Sequence, residues 1–116
     1  MVWRQRWATK NKYGNLSSLY DGIQYHSKRE AREAAELDLR VKAGEIVKWE
    51  RQVRVSLDVN GYHICNYFVD FKLYYPDGTV EYLEVKGFET EVWKMKWKIF
   101  EALFSGDPMV KLSVVK

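Results

Sequence analysis

The chain has 116 residues, a length that holds one hydrophobic core and leaves no room for a second. With 47% hydrophobic and 30% charged residues it has the balance of a folded domain, and its single cysteine, Cys65, excludes an internal disulfide framework or a cysteine-cluster zinc site. A net charge of +3 conceals an asymmetry: the first 29 residues carry six Lys or Arg against one acid, Asp21, and this basic start before a slightly acidic body points to a polyanionic partner.

No run approaches the roughly 20 apolar residues of a membrane span, and no apolar leader core is present, so the expected location is the cytoplasm. Residues 1–26 read as a basic, aromatic arm, with a turn and a short extended piece at Tyr20–Tyr25, and residues 27–116 as the folded domain. Ser27-Lys28-Arg29-Glu30 fits a capping box, and a helix is expected from Lys28 to about Ala43. Its apolar face would be Ala31, Ala34, Ala35, Leu37, Leu39 and Val41, and Gly44 would stop it.

Three strands should follow. The first covers Ile46–Leu57, Asn60-Gly61 is a hairpin turn, Tyr62–Tyr75 is the second, Pro76-Asp77-Gly78 turns again, and Thr79–Lys86 is the third. Thr90 is the expected N-cap of a second helix running to about Phe104, and Val110–Val115 makes a last strand. The predicted fold is therefore a small mixed α/β (α+β) domain of order αβββαβ, its fourth strand added in parallel to an antiparallel meander.

The chemistry concentrates on the second and third strands. Alternation puts Val69, Phe71 and Leu73 on one face and Phe68, Asp70 and Lys72 on the other. Across the Pro-Asp-Gly hairpin, Glu84 and Lys86 should project from the same side of the sheet as Asp70. Two neighbouring carboxylates repel, and a divalent cation relieves that repulsion; Mg²⁺ takes one or two carboxylates together with waters and phosphate oxygens. A lysine about 6.6 Å further along the strand could stabilise developing charge or orient a water. The combination suits metal-assisted phosphodiester hydrolysis.

Asp70, thirteen intervening residues and Glu84-Val85-Lys86 resemble the core of the PD-(D/E)xK nuclease superfamily, whose common restriction-endonuclease-like fold is similar to the αβββαβ order. More closely, Phe68-Val69-Asp70-Phe71, the Pro-Asp-Gly turn and Leu83-Glu84-Val85-Lys86-Gly87 resemble phage endonuclease I–type Holliday junction resolvases. The longer run from Asn11-Lys12-Tyr13-Gly14-Asn15 through Tyr20-Asp21-Gly22-Ile23 and Ser27–Ala31 to Gly87-Phe88 is similar to small phage proteins described as nucleases. The resemblance implies that Asp70 and Glu84 are metal ligands for Mg²⁺ (or Mn²⁺), that Lys86 is the catalytic lysine, and that Glu30 supplies an additional acid. Val69 departs from the pattern, which has proline there. Gln52 corresponds loosely to a polar residue near some such sites.

The remaining candidates each carry an ordinary reading beside the functional one. Capping alone explains Glu30, and Glu33 lies one turn on. Lys94, Lys96 and Lys98 would be the exposed side of a helix burying Val92, Trp93, Trp97, Ile99, Phe100 and Leu103, or a phosphate-contacting face. In the arm, Arg4, Arg6, Lys10 and Lys12 could contact DNA phosphates, pack back on the domain, or exchange with a second subunit. His26 and His63 have no partner at metal-ligand spacing, and Cys65 is expected to be buried. The expected activity is a divalent-metal-dependent endodeoxyribonuclease on branched DNA such as a Holliday junction. It would act as a homodimer, because a junction needs two symmetric cuts. The alternatives are a nicking or nonspecific nuclease, and an inactive nuclease-like DNA-binding module.

Overall fold

A computed structural model describes residues 18–25 and 27–116, which form two compact units that divide between Ala43 and Gly44. The arm residues Arg4, Arg6, Lys10 and Lys12, like His26, lie outside the described residues. No described helix is long and apolar enough to cross a membrane.

In the first unit, β1 (Ser18–Tyr20) and β2 (Ile23–Tyr25) form an antiparallel hairpin, followed by α1 (Lys28–Lys42). The hairpin turns on Asp21-Gly22, both left-handed with φ of 52° and 78°, as a two-residue turn matched to strand twist requires. Ser27 caps α1, its side chain accepting from the Glu30 N–H at 3.2 Å. The buried stripe of α1 is narrower than the expected apolar face: Ala31, Ala34 and Leu37 are buried, whereas Leu39 is exposed. Tyr20 donates its hydroxyl to Asp38 at 2.5 Å and ties the hairpin to the helix.

The second unit is a mixed four-stranded sheet of order β3-β4-β5-β6, with one helix, α2 (Glu91–Phe104), between its last two strands. The strands are β3 (Lys48–Val59), β4 (Tyr62–Tyr74), β5 (Val80–Val85) and β6 (Val110–Val115). The first three pair antiparallel and β6 joins β5 in parallel, so the expected αβββαβ order is present, with the β1–β2 hairpin ahead of it. Asn60-Gly61 makes the β3–β4 turn with both residues left-handed, φ 52° and 83°.

Aromatic packing between α2 and the sheet forms the core of this unit. Trp97 and Phe100 are buried against Leu57, Tyr67, Val69 and Tyr82. The Phe100 ring meets Tyr67, Tyr82 and Trp97 edge-on at centroid distances of 5.5, 5.2 and 5.6 Å. Such pairs add about 0.5–1.5 kcal/mol each beyond the area they bury. The expected buried face of α2 is too wide at both ends: Val92 and Leu103 are exposed. Cys65 is only half-buried, at the edge of this cluster.

One feature of the sheet departs from simple alternation. Lys72 lies opposite Tyr82, and Tyr82 packs on Phe100, so even-numbered residues face α2 at that end of β4. Tyr67 and Val69, of opposite parity, also pack in the α2 cluster. The strand must therefore turn over between Val69 and Lys72, and Val69 does not share a face with Phe71 and Leu73. The cause is visible on β3: Gln52 has φ of 51°, a left-handed conformation inside a strand. Pairing runs from Arg51↔Phe71 directly to Val53↔Val69, leaving Gln52 opposite Asp70 without a ladder bond. A side chain held there costs about 1–2 kcal/mol. Strain of this kind persists where surrounding structure fixes it.

Candidate active site

Asp70 sits at that turn-over point. The β4–β5 register pairs Tyr74 with Val80 and ends at Phe71↔Leu83; one step further Asp70 comes opposite Glu84. There the two side chains take over the work of the backbone. The Val85 N–H donates to Asp70 Oδ2 at 2.8 Å, and the Asp70 N–H donates to Glu84 Oε1 at 3.3 Å. Each acid thus satisfies a backbone donor of the neighbouring strand as the ladder opens, and two carboxylates are fixed side by side. Both are buried, at 8% and 4% exposure.

Three further groups complete the cluster. Gln52 Nε2 donates to Asp70 Oδ1 at 3.2 Å, so the strained residue is the one that holds the acid. Lys86 Nζ lies 3.7 Å from Glu84 Oε2, its side chain about a quarter exposed. Glu84 faces α2, as Tyr82 does two residues earlier, and meets the Tyr67 hydroxyl there. Trp93 Nε1–H donates to that hydroxyl at 2.8 Å, leaving the phenolic hydrogen for Glu84.

Trp93 is therefore a hub. Its ring lies 5.1 Å from Lys86 Nζ, and its backbone N–H is fixed by the N-cap Thr90, whose Oγ1 accepts it at 3.1 Å. The first turn of α2 sets the neighbours of both Glu84 and Lys86. Sequence reasoning did not single out Tyr67 or Trp93 for the site, and gave Gln52 little weight. The only trace of them in the sequence is a polar-tipped aromatic at each position, in a chain crowded with aromatics.

Burial, and then the charge of Asp70, push the Glu84 carboxyl up to about 7, although Lys86, Tyr67 and the Asp70 N–H pull the other way. Burial and the nearby Glu84 also push the Tyr67 hydroxyl well above its usual range, so it stays a hydrogen-bond donor. Two buried acids of which one resists ionisation form a site that a cation would relieve, and Asp70 and Glu84 are the residues that could hold it. Among the described residues no group of three or more His, Cys, Asp or Glu side chains converges.

The structure thus brings Asp70, Glu84 and Lys86 together. Glu30 belongs to the first unit, half-buried in the first turn of α1, where Ser27 caps its N–H. Lys94 and Lys98 are exposed on α2. His63 is an ordinary polar residue, bonded at 2.8 Å to Asp58 and at 2.9 Å to Ser56 on the exposed hairpin.

No curated protein and no solved structure matches the chain. Residues 10–115 match the family described as "Protein of unknown function (DUF1064)", and the chain belongs to that family.

Proposed function

We propose that this protein is a divalent-metal-dependent endodeoxyribonuclease that hydrolyses phosphodiester bonds. The observation that carries the reading is the pair of buried carboxylates, Asp70 and Glu84, fixed opposite one another where two strands part, with Lys86 Nζ 3.7 Å from Glu84. Two hard-oxygen donors suit Mg²⁺ or Mn²⁺, which complete their shells with water and substrate oxygens. When bound, the cation supplies Lewis-acid polarisation of a phosphodiester oxygen.

The chain's own groups do the rest. Asp70 and Glu84 hold the cation, and the two strand N–H groups with Gln52 and Tyr67 keep their oxygens from rotating away. Lys86, half-shielded against Trp93, presents a positive charge where negative charge grows on the scissile phosphate, and can orient the attacking water. Exposed Lys94 and Lys98 contact phosphates without reading sequence.

The preferred substrate is branched DNA such as a Holliday junction. That choice rests on the resemblance to endonuclease I–type resolvases and on the basic, aromatic start of the chain. Two symmetric cuts call for a homodimer, acting in the cytoplasm (the host's, for a phage protein). The test is Mg²⁺-dependent cleavage of a four-way junction by the wild type and by Asp70→Ala, Glu84→Ala and Lys86→Ala. Each substitution is expected to lower the rate by about 100-fold or more; wild-type rates in all three would reject the site.

A further inference from the structure

β3 is an edge of the four-stranded sheet: it pairs with β4 on one side, and among the described residues no strand pairs with the other. A free edge of this kind offers a row of unpaired main-chain groups to another strand. The part beyond Gln52, Val53–Val59, runs regularly, because the register shift near its end puts the extra residue, Ile64, on β4. Its sequence, VRVSLDV, is its own complement about Ser56. Two copies laid antiparallel about that residue set Val53 opposite Val59, Arg54 opposite Asp58 and Val55 opposite Leu57, each of them twice.

We propose that this edge pairs two copies of the chain across a two-fold axis at Ser56. The charges fit. Arg54 is exposed and makes no ion pair among the described residues. Asp58 Oδ1 takes Ser56 and His63 at 2.7 and 2.8 Å, and its Oδ2 is open to a guanidinium. Arg54, Ser56 and Asp58 share one face of the strand, where the second copy presents the same three residues in reverse order. On the other face Val53 and Val55 are half-buried against the α2 cluster and Val59 is 39% exposed, so a neighbouring strand covers apolar surface there.

Charges on an edge ordinarily hold other strands away. Here opposite signs stand evenly about the centre, so within this stretch one register satisfies both. Sliding the copies by four residues sets Arg54 against Arg54 or Asp58 against Asp58, and in-register parallel pairing does both. Seven residues a side is less than the roughly 20–30 of a standard interface, so a reversible dimer is expected.

The axis stands perpendicular to the sheet, which keeps the faces and puts both α2 helices on one side. Gln52, which holds Asp70, lies four residues from the axis, so the two Gln52 residues come about 27 Å apart along the strands. With Asp70 one strand further out, the two carboxylate pairs stand roughly 30 Å apart on one joined sheet, both Glu84 side chains facing the α2 side. A single substrate can span them. That consequence rests on the hydrolytic reading above; the pairing itself does not.

Sedimentation velocity of the full chain over a wide concentration range tests the pairing. Arg54→Asp and Asp58→Arg each set like charges opposite and are expected to weaken the dimer about tenfold or more. Mixed together, the two variants regain both pairs, and association should return to within about threefold of the wild type, as it should in the doubly exchanged chain. Misfolded chains could not rescue one another in this way. Asp58→Asn keeps an acceptor for the guanidinium and is expected to dimerise nearly as the wild type does, and Lys111→Glu, a charge reversal on β6, should have no effect. A wild type that stays monomeric, single variants that dimerise as it does, or a mixture that stays apart overturns the pairing. A dimer lost in the single variants and restored in the mixture, without cleavage of any DNA, keeps the pairing and removes hydrolysis. Cleavage of a junction by a chain that never dimerises does the reverse.

Discussion

Two polar clusters sit on the same β3–β4 hairpin and invite comparison. Near its tip, Ser56, Asp58 and His63 lie within 2.9 Å of one another, the residue types of a hydrolytic triad. Near its base, Asp70 meets Glu84 and Lys86. At the tip, both Ser56 and Asp58 approach the same ring nitrogen of His63, so the imidazole cannot pass a proton from one to the other. Solvent reaches both Asp58 and His63, whose side chains are 53% exposed, and hydrogen bonds from Ser56 and His63 hold Asp58 below its usual range. At the base, burial acts in the opposite direction and raises Glu84. Three triad residue types in contact do not by themselves make a site. Burial and the separation of hydrogen-bonding roles distinguish the base from the tip.

The sharpest way to break this comparison is to neutralise one acid in each cluster. Glu84→Gln should lower junction cleavage by about 100-fold or more, yet make the metal-free protein more stable at pH 8, because it removes a buried charge that faces Asp70. Asp58→Asn should leave cleavage unchanged and lower the thermal midpoint only slightly, because the hydrogen bonds it weakens are exposed. A stabilised, inactive Glu84→Gln is the signature of a site kept for function at a cost to folding.

The next effect is on stability against pH. Glu84 holds its proton up to about pH 7 in the folded chain and releases it near 4.5 when unfolded. Between those values the folded state binds more protons, so the metal-free protein loses stability as pH rises, by up to about 3 kcal/mol at pH 8. Asp58 has the opposite sign: its lowered value stabilises the fold above its usual titration range, and that contribution disappears in acid. Denaturant unfolding of the wild type and Glu84→Gln from pH 5 to 8 isolates the Glu84 contribution, which the variant should lack.

A smaller effect is expected from Tyr67→Phe. It removes the hydroxyl that joins Trp93 to Glu84 and leaves a half-buried indole N–H without its acceptor, a loss of about 1 kcal/mol. Mg²⁺ affinity should fall with it. A variant as stable as the wild type and with unchanged Mg²⁺ affinity would show that the hub does not position Glu84.

How much of this was legible follows the same division. The caps at Ser27 and Thr90 and the Asn60-Gly61 turn have local signatures, and the structure has all three. The meeting of Asp70 with Glu84 was also legible, because the short Pro76-Asp77-Gly78 turn fixes the register of the strands on either side. The reversal of faces at Gln52 was not. Left-handed backbone at a non-glycine residue has no composition signal, and with Val69, Asp70 and Phe71 all buried the apolar pattern cannot register a turn-over. Trp93 and Tyr67 were hidden for a related reason: in a core built of aromatic rings, two of them with polar tips aimed at an acid look like the others. The exposure of Leu39, Val92 and Leu103 shows that amphipathic spacing overstates the width of the buried stripe.

Calorimetric titration of Mn²⁺ into the metal-free protein at pH 7, in buffers of different ionisation enthalpy, tests the carboxylate pair most directly. The expected result is a binding event that releases a fraction of a proton from Glu84 and is abolished in Asp70→Ala and Glu84→Ala. Equal binding by the wild type and both variants would contradict a cation site at Asp70 and Glu84.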